Sequence, residues 1–138
     1  MEYLEFDKIL ERNTFNYKGD HDTVITRSAE LYRLICDLII DDDLTKSVRA
    51  RLFAVIGYFI IPQDLYPEEE HGPIGYVDDL MLVIFVLRDI REVEGVGKLY
   101  YHWKSERVEL DNILDTEFES LVDNYTDLYQ ELIEFMGF

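Results

Sequence analysis

The chain has 138 residues, of which 48% are hydrophobic and 14% aromatic. That composition suits one globular domain and excludes a disordered segment. Thirty acidic residues against 13 basic ones leave a net charge of −17, which opposes binding to nucleic acid or to an anionic membrane through a broad field. A single cysteine, Cys36, excludes an intrachain disulfide.

Leu4, Ile9 and Leu10 stand among charges and predict a first helix over residues 2–12. Glu2 and Glu5 occupy the place of a basic leader region, so no signal peptide is expected. Residues 13–22, NTFNYKGDHD, form a turn-rich connection broken at Gly19. Asp22 or Thr23 caps a second helix to about Ile40, with Ile25, Leu31, Leu34, Ile35, Leu38 and Ile39 facing the core. Cys36 lies within that apolar run and reads as a small buried hydrophobe. The run Asp41, Asp42, Asp43 is unfavourable at a helix C-terminus, so it is expected to cap the next helix, starting near Thr45. The spaced ligands and glycine of a calcium loop are absent there.

The centre of the chain runs from Arg51 to Arg91. Val48, Leu52, Val55, Ile56 and Phe59 recur at helical spacing, and Pro62 ends that helix. Leu80, Val83, Ile84 and Leu87 repeat the spacing afterwards, and Met81, Leu82, Phe85 and Val86 fill the other side, so the second helix is expected to be buried almost all round. Two such helices imply an antiparallel hairpin. All three prolines of the chain, Pro62, Pro67 and Pro73, sit between them with Gly72 and Gly75, which predicts a structured loop. The longest charge-free apolar stretch, Leu52 to Gln63, falls short of the ~20 residues that span a bilayer.

After a break over residues 92–97, the segment 98–107 interleaves Lys98, Lys104 and Arg107 with Tyr100, Tyr101 and Trp103. A stacking surface for single-stranded nucleic acid uses that pattern, but the net charge opposes it, and a helix that buries its aromatics is the expectation. No lysine or arginine follows Arg107. A tail helix over about 109–136 places Leu110, Leu114, Leu121, Tyr125, Leu128, Leu132 and Met136 on one stripe, wide enough for the core of its own domain or for a homodimer contact.

The set Tyr58, Pro62, Asp64, Leu65, Pro67, then Pro73, Gly75, Tyr76, Asp78, Asp79 and Leu80 resembles the YkvA-like domain of unknown function. That family carries a PxDLxP motif followed by GYxDD, and the resemblance covers about 40 residues, from Arg51 to Arg91. It implies a helical hairpin with a polar loop, and no reaction. This chain departs from the pattern at Glu68, Glu69, Glu70 and His71, where the family has one acidic residue and then apolar ones. Membrane association, implied for many members, is opposed by that acidic run.

Asp64, Glu68, Asp78 and Asp79 are the candidate metal ligands, since oxygen donors of this kind suit Mg²⁺, Ca²⁺ or Mn²⁺. The competing role is structural: Asp64 and Asp78 accept hydrogen bonds from backbone N–H groups at a helix start and pair with Arg49 or Arg51. His21, His71 and His102 are scattered, and no phosphate loop, nucleophile elbow or CxxC is present, so no catalytic residue is assigned.

These readings predict an all-α single compact domain, residues 1–138, of about five or six helices around the central hairpin. The expected function is that of a cytoplasmic, non-enzymatic interaction or scaffold module. Its loop from Pro62 to Asp79 would meet a basic protein surface. The alternatives are a metal-dependent hydrolase using Asp64, Asp78 and Asp79, and a peripheral membrane protein.

Overall fold

The computed structural model describes residue 3 and residues 5–60 and 75–138. Among them the chain is all helical, with no strand: α1 (Phe6–Thr14), α2 (Asp22–Ile25), α3 (Ser28–Ile39), α4 (Lys46–Ile60), α5 (Val77–Glu94), α6 (Val96–His102), α7 (Arg107–Asn112), a π turn (Ile113–Glu117), α8 (Phe118–Asn124) and α9 (Thr126–Met136). This is the all-α domain that the apolar periodicity predicts.

Helix α5 is the axis of the fold. Val77, Leu80, Met81, Leu82, Val83, Ile84, Val86, Leu87 and Ile90 are all buried, so the helix is enclosed on every side over its first four turns. Helix α4 packs along it through Val48, Leu52, Val55 and Phe59. Three cross-links give the direction: Thr45 bonds Glu94, Arg51 pairs with Asp89 at 2.6 Å, and Tyr58 donates to Asp78 at 2.9 Å. As one partner rises in number the other falls, so the two helices run antiparallel. Pro62, Asp64, Leu65, Pro67 and Glu68 lie outside the described residues.

Two expected helices are each interrupted. The segment from Asp22 to Ile40 divides into α2 and α3 because short polar side chains bond back to the backbone at the join. Thr26 Oγ1 donates to the Asp22 carbonyl at 2.7 Å, and Ser28 Oγ to that of Ile25 at 2.6 Å. Such bonds compete with a continuous helical ladder. The tail helix is broken at Tyr125 (φ −132, ψ 46), which lets α9 fold back on α5. Tyr129 and Phe138 then meet Phe85, with ring centroids at 6.4 and 5.6 Å, and Phe135 meets Tyr58 at 6.1 Å. Of the predicted tail stripe, Leu110, Leu114, Leu121 and Leu132 are buried in the chain's own core. Cys36 is fully buried, and burial pushes its thiol up to about 11, in line with a small core hydrophobe.

Helix α6 buries Leu99, and Trp103 beyond it is buried too, with its indole N–H donating to the Glu106 carbonyl at 3.0 Å. Tyr100 donates to Asp111, and the Arg107 guanidinium lies over its ring. Only Tyr101 of the three aromatics stands open. Of this segment Leu99 and Trp103 join the core, Tyr100 is half-buried, and Lys104 and Arg107 are exposed.

Candidate functional site

The residues Gly75, Tyr76, Asp78 and Asp79 of the motif converge at the start of α5. A short turn at Gly75 and Tyr76 leads into the helix, and the two aspartates fall in its first turn, where free N–H groups and the helix dipole favour carboxylates. Both are enclosed: Asp78 is 0% exposed and Asp79 1%. One Asp78 oxygen accepts from the Asp79 backbone N–H at 2.9 Å, and the other accepts from the Tyr58 hydroxyl at 2.9 Å. Tyr58 comes from α4, so this carboxylate ties the two central helices at one end.

Aromatic rings cover the same end. Phe6, Tyr32 and Phe59 meet one another edge-on at 5.2 to 5.7 Å, and Tyr76 packs on Phe59. The Tyr76 hydroxyl accepts from Asn13 Nδ2 at 3.1 Å, which adds α1 to the assembly. Two polar contacts, Tyr58–Asp78 and Asn13–Tyr76, thus tie α4 and α1 to the start of α5. Of the described motif residues Tyr58 and Asp78 touch, whereas Arg51 pairs with Asp89 and Arg49 donates to the Asp41 carbonyl. Among the described residues no group of three or more His, Cys, Asp or Glu side chains is arranged to hold a metal. Asp64 and Glu68, the other two metal candidates, lie outside those residues.

A second polar centre is one that sequence reasoning missed. Asp41, at the end of α3, receives the His102 ring Nε2 at 3.0 Å and Lys98 Nζ at 3.2 Å, both from α6, and the Asp43 N–H at 3.0 Å. Its side chain is 17% exposed. Nearby, the Glu94 carboxylate accepts from both the N–H and the hydroxyl of Thr45. The expected cap from Asp41, Asp42 and Asp43 is therefore replaced. The Glu that a capping box would supply three residues on comes instead from the far end of α5. Only the acidic run marked this region in the sequence; nothing marked its partners.

The His102 hydrogen bond, followed by the Asp43 N–H and Lys98, holds the Asp41 carboxyl down at about 2, below its ordinary 3.8. A carboxyl lowered in the folded state adds stability that is full above about pH 4 and is lost as pH falls toward 2. Asp41→Asn is expected to lower the unfolding free energy by about 1 kcal/mol at pH 5, after allowance for solvent screening. In urea titrations the gap from wild type should close by pH 2, and a gap constant from pH 5 to 2 would contradict this source.

Open hollows lie elsewhere on the surface. One of about 650 Å³ is lined by Asp20, His21, Asp22, Glu117, Asn124 and Tyr125. Another of about 500 Å³ runs between Phe85, Arg88, Phe118 and Tyr129, with the Arg88 guanidinium over the Phe118 ring. Neither contains a residue of the motif. No helix among the described residues is long and apolar enough to cross a membrane.

Comparison with known proteins fits this picture. Residues 48–85 match the family described as "Protein of unknown function (DUF1232)", and the YkvA-like resemblance is consistent with it. The chain is also similar to the "Uncharacterized protein ORF9" of Methanothermobacter thermautotrophicus. The two are 28% identical over 125 residues, which cover 91% of this chain and 80% of that protein. No solved structure matches.

Proposed function

We propose that this chain, whose residues 48–85 carry a domain of the DUF1232 family, is a non-enzymatic cytoplasmic interaction module that recognises a basic protein surface. The observation that carries this reading is the burial of Asp78. Both its oxygens are engaged, one by Tyr58 and one by the Asp79 N–H, which supports a role in the fold over one toward a substrate. Charge supports the kind of partner. The chain carries −17, and Glu119, Asp123, Asp127, Glu131 and Glu134 stand exposed on α8 and α9. In this proposal the acidic run Glu68, Glu69 and Glu70 of the stretch from Pro62 to Asp79 meets the partner, while residues 75–79 are buried and hold the fold.

The test is thermal unfolding of chelator-stripped protein with and without Mg²⁺, Ca²⁺ and Mn²⁺. A shift of less than about 1 °C at ion concentrations below 1 mM is the expected result. A rise of several degrees that disappears in Asp79→Asn would instead indicate a ligand site and favour the metal-dependent hydrolase. On the binding side, retention on an immobilised basic protein such as a histone should fall steeply between 0.05 and 0.5 M salt, and should weaken when Glu68, Glu69 and Glu70 become glutamine.

A further inference from the structure

The hollow between α5, α8 and α9 combines aromatic walls with charges of both signs. Phe85, Phe118 and Tyr129 supply the rings, and Arg88, Asp89 and Glu92 supply the charges. The rings brace one another: Phe118 meets Tyr129 edge-on at 5.7 Å, and Phe85 meets Tyr129 at 6.4 Å. The space measures about 500 Å³, within the range of small-molecule clefts.

The charges are distributed in an unusual way. Arg88 and Glu92 stand four residues apart on α5, a spacing at which opposite charges ordinarily pair. They do not pair here, because the Arg88 guanidinium lies over the Phe118 ring, 4.5 Å from its centre. The neighbouring charges are already taken: Asp89 is held by Arg51 at 2.6 Å, and Arg91 by Asp115 at 2.8 Å. Among the described residues neither Arg88 nor Glu92 has an opposite charge within 4.0 Å. Arg88 is half-buried and Glu92 is exposed, so one unpaired cation and one unpaired anion border the same aromatic hollow.

We propose that this hollow binds a free α-amino acid with an aromatic side chain. Arg88 takes the carboxylate through the N–H groups at the edge of its plane, and Glu92 takes the ammonium. The ligand's ring packs among Phe85, Phe118 and Tyr129, where offset and edge-on contacts are both open to it. The two charged residues stand about 6 Å apart along the helix axis, close enough for both to reach one head group. Charge selects this class of ligand over its relatives. A simple anion meets Glu92 and the field of a chain carrying −17, and a simple cation meets Arg88. A zwitterion has no net charge and satisfies both residues. The inference does not depend on the basic-partner reading.

Titration calorimetry of the full chain with L-phenylalanine, with amide shifts followed by NMR, tests the proposal. A Kd of about 1 mM or tighter is expected. N-acetylphenylalanine lacks the ammonium and phenethylamine lacks the carboxylate, and each should bind about tenfold more weakly. Alanine, which lacks the ring, should bind more weakly still. Glu92→Gln should weaken phenylalanine about tenfold and leave N-acetylphenylalanine unchanged, and Arg88→Gln should weaken phenylalanine equally and leave phenethylamine unchanged. Circular dichroism should be the same in both variants. Lys104→Gln, exposed and not part of the hollow, should bind as wild type does. Absence of phenylalanine binding up to about 20 mM overturns the proposal. So does binding indifferent to the loss of either ligand charge, a comparison that stands even where a variant fails to fold. Amide shifts confined to helices other than α5, α8 and α9 overturn the location.

Discussion

Asp78→Ala is expected to lower the unfolding free energy by about 3 kcal/mol, far more than the removal of a surface carboxylate would. The side chain is fully buried, so its loss strands the Tyr58 hydroxyl and the Asp79 N–H, and each buried donor left without its acceptor costs about 1–3 kcal/mol. The damage is also positional. Asp78 joins α4 to the first turn of α5, and the Asn13–Tyr76 bond joins α1 to the same turn. Tyr58→Phe keeps the ring and removes only the donor, so a loss of about 1–2 kcal/mol is expected. Because the two groups share one bond, the effects of Asp78→Ala and Tyr58→Phe should fall short of additivity in the double variant. Urea unfolding of the three variants measures this. An Asp78→Ala protein as stable as wild type would show that the carboxylate does not support the fold, and would return it to the list of groups free to bind a ligand.

Ile84→Ala is expected to lower stability by about 3–4 kcal/mol. Ile84 is 0% exposed in the middle of the helix on which α2, α3, α4, α6, α8 and α9 all pack, and truncation removes buried methyl groups while leaving a cavity between packed helices. A domain of this size has a total stability of only about 5–15 kcal/mol, so the melting temperature should drop by well over 10 °C. Val108→Ala, also the loss of an aliphatic side chain but on the exposed face of α7, should change stability by less than about 0.5 kcal/mol. Calorimetry on the pair gives the comparison. An Ile84 variant that melts within about 3 °C of wild type would mean that α5 is not the axis of the packing.

What the sequence alone determined is the helical class, the two central helices and the burial of most core residues. Each rests on a signal carried within a few turns of chain. The spacing of Val48, Leu52, Val55 and Phe59 gives α4 one buried face, and the apolar run from Leu80 to Leu87, with Leu80, Val83, Ile84 and Leu87 at helical spacing, suits a helix enclosed almost all round. Local signals also placed Asp78 and Asp79 at a helix start, and the YkvA-like motif joined them with Tyr58 and Tyr76 before any contact between them was known.

The tertiary structure decided where the chain breaks and which polar groups meet. Nothing between Glu109 and Met136 is a proline or a glycine, so the tail reads as one helix, yet it turns at Tyr125 because α9 gains more by packing on Phe85 and Tyr58 than by running on into solvent. Residues far apart in sequence made the same kind of choice. Asp41 finds His102 and Lys98, Thr45 finds Glu94, and Arg51 finds Asp89. Periodicity shows which face of a helix is polar, but a carboxylate on that face can reach several cations, and only the packing of the apolar faces brings one of them within 3 Å.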